Sequence, residues 1–236
     1  MKFRQALIGF VSLLGAASAH ALVDPGSHYD NANNFSTAQN PNGVWSYGYS
    51  YAVGGEFNAF ATSASASNGL QTWFTLNLPD IGTLVYHNAS LNPLSLSTAT
   101  VAGLEAGFHP GIESLAIYRF TAPSAGTYNV EASFFTHDSS ATGVDVYVLK
   151  NGGTSLFAAP LAHSGAYTFT FWSGGVTLAA GGTLDFVVGS AGNYLHDATG
   201  LGVQIAAVPE PQTYALLGIG LGIVGIAARR RAYMQG

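Results

Sequence analysis

The 236-residue chain contains no cysteine. That excludes disulfide staples, thiolate metal sites and a cysteine nucleophile. Charge is scarce too: Asp, Glu, Lys and Arg make up 8% of the chain, where an ordinary soluble domain has about 25%. Cations are scarcest of all. Lys2, Arg4, Arg229, Arg230 and Arg231 lie at the two ends, and residues 22–211 keep only Arg119 and Lys150 against all twelve Asp and Glu, a formal charge of −10. Such a surface offers nothing to nucleic acid and repels polyanions. Also missing are a G-x-S-x-G elbow, an H-E-x-x-H pair, a P-loop and an EF-hand loop. The chain therefore reads as no enzyme. Between 22 and 207 no stretch carries a convincing helical period. Ser, Thr, Asn and Gly must do the wetting that charges do elsewhere.

Long apolar runs occur only at the ends. Lys2 and Arg4 precede an apolar run from Ala6 to Ala17, and Ala19-His20-Ala21 forms an A-x-A cleavage site. Residues 1–21 thus read as a signal peptide cut after Ala21. At the other end Val208-Pro209-Glu210-Pro211 breaks any helix, because two prolines fix φ and remove N–H donors. Residues 213–228 then carry no charge. As a helix they span roughly 24 Å, short of a hydrocarbon core of about 30 Å unless the bilayer thins or arginines snorkel. Arg229, Arg230 and Arg231 follow, so the expected orientation is a single transmembrane helix with its Arg cluster cytoplasmic and the body outside.

The triplet Pro209-Glu210-Pro211, the Gly-rich apolar segment and the terminal Arg cluster together resemble the PEP-CTERM sorting signal of Gram-negative bacteria. The resemblance covers residues 208–236. It implies export, recognition by an exosortase-type membrane protease and removal of the helix, in a setting of exopolysaccharide and biofilm production. The expected localisation is the envelope, the cell surface or the medium after processing.

The part between reads as strands. Residues 22–42, rich in Asn and Ser, have no apolar period and are expected to form a loosely ordered arm ahead of an ectodomain at 43–207. Trp45, Tyr47, Tyr49 and Tyr51 alternate strictly, as do Tyr128, Val130, Ala132 and Phe134, and Val144, Val146 and Val148. Asn151-Gly152-Gly153 reads as a hairpin turn, and Gly181-Gly182 as a turn pairing residues 176–178 with 184–188. Residues 90–111, with two prolines, read as loop. Residues 121–128 and 177–184 echo each other as repeated turn chemistry. Short strands at this spacing predict an all-β antiparallel sandwich. Asn40 to Gly48, His109-Pro110-Gly111, Thr121 to Tyr128 and Gly181 to Gly189 also resemble PEP-CTERM ectodomains of the galactose-binding-like, carbohydrate-module jelly-roll kind.

Candidate ligand residues are few. Sugars stack on Trp and Tyr faces, so Trp45, Tyr47, Tyr49 and Tyr51 form either a sugar platform or a stretch of core; burial of all three tyrosines would favour a body without a sugar site. Asp138, Asp145 and Asp197 are candidates for a structural calcium on loop oxygens; no other cofactor is expected. His137-Asp138 and His196-Asp197 read as turns at strand ends rather than catalytic dyads. Two functions follow: a non-catalytic surface or matrix protein associating with exopolysaccharide, or a structural or adhesive ectodomain with protein partners.

Overall fold

The computed structural model describes residues 27–76, 82–161 and 168–209, together with Ile219. The expected signal peptide with Ala19 and Ala21, the residues Glu210 and Pro211, the span 213–228 and Arg229 to Arg231 lie outside the described residues. Among the described residues no helix is long and apolar enough to cross a membrane.

The body is an antiparallel sandwich. The first half of the chain supplies β1 (His28–Asp30), β2 (Trp45–Ser50), β3 (Asn58–Ala59), β4 (Thr62–Ser65), β5 (Leu70–Phe74), β6 (Leu84–Asn88), β7 (Leu94–Leu96), β8 (Ala99–Val101) and β9 (Ala106–His109). The second half supplies β10 (Leu115–Thr121), β11 (Gly126–Thr136), β12 (Val144–Lys150), β13 (Thr154–Leu161), β14 (Thr168–Leu178), β15 (Thr183–Gly189) and β16 (Thr199–Val208). One sheet has the order β14-β11-β16-β9-β6-β5-β4, with β1 also on β16; the other has the order β13-β12-β15-β10-β2-β3. From β9 onward, apart from the β12–β13 hairpin, the chain passes back and forth between the sheets, as in a jelly roll.

Alternation produces the core. Tyr128, Val130, Ala132 and Phe134 are buried between the sheets, as are Val144, Val146 and Val148 opposite them. The Asn151-Gly152-Gly153 turn joins β12 to β13 as expected, with Asn151 and Gly152 both at positive φ. The glycine pair at 181–182 does something else. It carries the chain from β14 in one sheet to β15 in the other. The echoing turn at 122–126 carries β10 to β11 in the same way, and the two arches are hydrogen-bonded together: Gly181 N donates to Ala122 O and Ala122 N to Gly182 O, both at 2.8 Å.

Two expectations are corrected. Residues 27–42 are woven into the sandwich rather than hung from it. β1 pairs with β16, Phe35 sits in the core, and Asn31 bridges to β16 by accepting from Val203 N at 2.7 Å and donating to Leu201 O at 2.8 Å. Asn40 does the same for β2, accepting from Tyr47 N at 2.9 Å and donating to Tyr47 O at 2.7 Å and Phe60 O at 2.9 Å. Residues 90–111 are likewise not plain loop. They hold the β7–β8 hairpin and the strand β9. Gly107 in β9 is required because a side chain there would strike the Tyr86 ring and Thr199 O.

Candidate functional site

The four aromatics of 45–51 do not form a platform. Trp45 and Tyr47 have no exposed surface and Tyr49 is buried; Tyr51 alone is exposed, at 55%. Strict parity put three rings on one face of β2, and that face looks inward. Trp45 meets Phe120 and Phe186, and Tyr47 meets Phe35, Trp73 and Tyr118. Burial of these rings stabilises the fold through the apolar area taken from water. Desolvation pushes the Tyr47 hydroxyl far above its ordinary pKa.

Of the calcium candidates, Asp138 and Asp197 lie close enough for the one to raise the other's carboxyl, while Asp145 is on a strand apart from them. Asp145 stands on the six-stranded sheet, opposite Gly189. Asp138 accepts from Thr98 Oγ1 at 3.0 Å and Ser140 N at 3.0 Å. Asp197 Oδ1 accepts from Thr142 Oγ1 at 2.8 Å, while Oδ2 is buried without a partner. Burial raises the Asp197 carboxyl to about 7, against the opposing pull of Thr142. Among the described residues no three His, Asp or Glu side chains stand together as metal ligands.

The outer face of the eight-stranded sheet carries two depressions. One, of about 300 Å³, lies under the β7–β8 hairpin, with Leu70, Leu84, Leu96 and Val101 around it and Thr98, Asp138 and His196 at its polar side. Thr98 Oγ1 lies 2.9 Å from His196 Nδ1, and Asp138 Oδ2 lies 3.7 Å from that same nitrogen. A nucleophile–base–orienter chain needs its two partners on opposite ring nitrogens. Here both crowd Nδ1, so the trio fixes a turn rather than relaying a proton. Backbone strain at Ser97 and His196, both at positive φ, accompanies that turn.

The second depression, of about 320 Å³, lies over β16. Its floor is Gly202, above which there is open space. Asp30 and Ala32 close one end, Leu104 and Glu105 line one wall, and Glu131, Ser133 and Phe135 on β11 line the other. Leu104 is half exposed and holds φ at 64°, an unusual state for leucine. Glu105 Oε2 accepts from His137 Nε2 at 3.0 Å and from Ala102 N at 2.9 Å, and the ring's Nδ1 lies 2.8 Å from the Tyr86 hydroxyl. The His137 contact holds the Glu105 carboxyl below its usual range, against the opposing effect of burial.

Beside this trough stands the exposed aromatic that the sequence reading passed over. Trp172 on β14 is 69% exposed. It is the register partner of Glu131, which pairs with Gln204, which pairs with Asp30, so the four side chains form one row across β14, β11, β16 and β1. The indole rests over Gly174, where a Cβ would come within 2.9 Å of the ring. Thr170 and Ser133 form the next row, 3.3 Å apart. A flat ring with amide, hydroxyl and carboxylate groups on adjacent strands is the chemistry a pyranose requires: a π-face for its C–H side and acceptors for its hydroxyls. The signal existed in the sequence. Phe169 and Phe171 face inward in part, so Trp172 falls on the solvent parity of Thr168 and Thr170. The trough also gathers three carboxylates that the sequence had not shown on one surface. Asp30 is committed to backbone N–H groups of Ala32 and Asn33. Glu105 is held ionised, the reverse of what a glycosidase acid needs.

No curated protein matches the chain. Among solved structures it is similar to the Podospora anserina GH26-CBM35 β-(1,4)-mannanase, at 13% identity and a TM-score of 0.32, over 61% of this chain and only 29% of the mannanase. It is similar to the CBM36-1 domain of a multidomain xylanase from the hindgut metagenome of Trinervitermes trinervoides, at 13% identity and a TM-score of 0.32, over 53% of this chain and 98% of that one. It is also similar to the K3 cleaved adhesin domain of Lys-gingipain from Porphyromonas gingivalis, at 12% identity and a TM-score of 0.37, over 63% of this chain and 100% of that one. The tail is more specific. Residues 207–231 match the PEP-CTERM protein-sorting motif, which marks the chain as an exported, envelope-associated protein processed at its C-terminus by an exosortase-type system.

Proposed function

We propose that the exported sandwich is a non-catalytic surface or matrix module that associates with the cell's exopolysaccharide through the outer face of its eight-stranded sheet. Before processing, the segment 213–228 holds it in the membrane with Arg229 to Arg231 on the cytoplasmic side; afterwards the body is released to the envelope surface or the matrix. The observation that supports the sugar reading is the row Trp172–Glu131–Gln204–Asp30 beside the trough over Gly202.

Affinity electrophoresis of the processed protein through gels containing the producing cell's own exopolysaccharide tests the reading. Retardation is expected, and Trp172→Ala should weaken it by on the order of tenfold or more while leaving the melting temperature nearly unchanged, because the side chain is exposed. Migration that no polysaccharide retards would overturn sugar association. Capture of a protein partner in its place would establish the structural or adhesive role.

A further inference from the structure

We infer that the glycan taken by this face carries free, protonated amino groups, as in a polymer with unacetylated amino sugars, rather than uronate, sulfate or phosphate. The inference rests on the sugar-stacking reading and adds the charge of the ligand. Asp30, Glu105 and Glu131 all line the one trough, with Gln204 and Ser133 between them. Glu105 keeps its negative charge because the His137 contact holds the carboxyl below its usual range. Among the described residues no lysine or arginine lines the trough, and the one basic ring against it, His137, is spent on Glu105. The two cations of residues 22–211, Arg119 and Lys150, lie on β10 and β12 of the other sheet, and Arg119 is already bound to Asp185 by two hydrogen bonds of 2.6 and 2.8 Å. Recognition of an acidic sugar calls for a guanidinium or ammonium facing the ligand. This face instead presents carboxylates and an electron-rich indole.

The spacing suits an amino sugar. Neighbouring strands stand roughly 5 Å apart, so a pyranose stacked on Trp172 brings a ring substituent over Glu131 on the next strand. An ammonium there gains a carboxylate partner. An N-acetyl group in its place carries no charge, and a carboxylate meets repulsion from a body already at a formal −10.

The test is isothermal titration of the processed protein with three probes of equal length: a glucosamine oligomer, its fully N-acetylated form and an oligogalacturonate. The amine form should bind about tenfold tighter than the acetylated form, and the uronate should not bind. Glu131→Gln should erase the preference. Glu56→Gln, which removes the same charge from an exposed loop far along the chain, should leave it intact and so exclude bulk attraction to an acidic protein. Equal binding of amine and acetylated probes, preference for the uronate, or a preference that survives Glu131→Gln would each overturn the inference. In those cases the stacking reading still stands if Trp172→Ala abolishes binding. Absence of binding to every probe and to the native polysaccharide sinks both.

Discussion

Asp197 shows how much one buried atom can decide. Its Oδ2 has no partner, and burial raises the carboxyl from 3.8 to about 7. Below the lower value both folded and unfolded chains hold the proton, and the residue is neutral toward stability. Between the two values the unfolded chain loses its proton while the folded chain keeps it, so stability falls as pH rises; above about 7 the full penalty remains. Thermal melts from acid to neutral pH should therefore show a flatter profile for Asp197→Asn than for the parent protein. Identical slopes would mean that the carboxyl is ionised in the folded state. Asp185 presents the opposite case. Its carboxylate is buried and receives Arg119, whose guanidinium also lies 4.0 Å over the Phe57 ring. Gly48 makes room for that ring, since a Cβ there would sit 2.6 Å from it. Asp185→Asn should cost about 2 kcal/mol in denaturant unfolding, less than a wholly buried pair because Arg119 keeps a fifth of its side chain in water.

At the scale of elements, β16 governs the larger sheet. β11 runs along the whole of one edge, while β9 takes Thr199 and Gly200 and β1 takes Gln204 to Ala206 on the other. Asn31 fills the interval between them with its side chain amide. Asn31→Ala leaves a buried N–H and a buried C=O unanswered and should cost about 2–4 kcal/mol in the same assay; a cost near zero would show that water replaces the amide. This interval also explains what could be read beforehand and what could not. β11 and β12 declared themselves through period-two alternation of large apolar residues. Asn31 and Asn40 read as loop because asparagine favours loops, yet here their amides stand in for missing strand backbone. The parity of Trp45, Tyr47 and Tyr49 was visible, but parity does not say which face looks inward. Trp172 escaped notice because the bulge beside Gly174 and Gly175 interrupts the pattern just after it.

For the whole molecule, stability rests on the aromatic interior and the ladders, with no cysteine to form a disulfide and, among the described residues, no clustered metal ligands. Melting temperatures in calcium and in a chelator should coincide, since Asp145 on β12 stands apart from the loop residues Asp138 and Asp197, and no three acidic or His side chains among the described residues form a ligand set; a rise with calcium would show that an ion is held all the same. The fold class and the C-terminal sorting motif were open to reading because each is written in composition and periodicity. The proposed ligand face was not, because it is assembled from four strands remote in the chain.

The last strand runs to Val208, still paired with Thr127, and Pro209 comes immediately after. Ser27 is bonded to Ala207 at the same corner. There is consequently no slack between the barcode and the parcel. The matched motif begins at Ala207, inside the last strand, so an enzyme that reads it from its first residue would meet the edge of the sheet there.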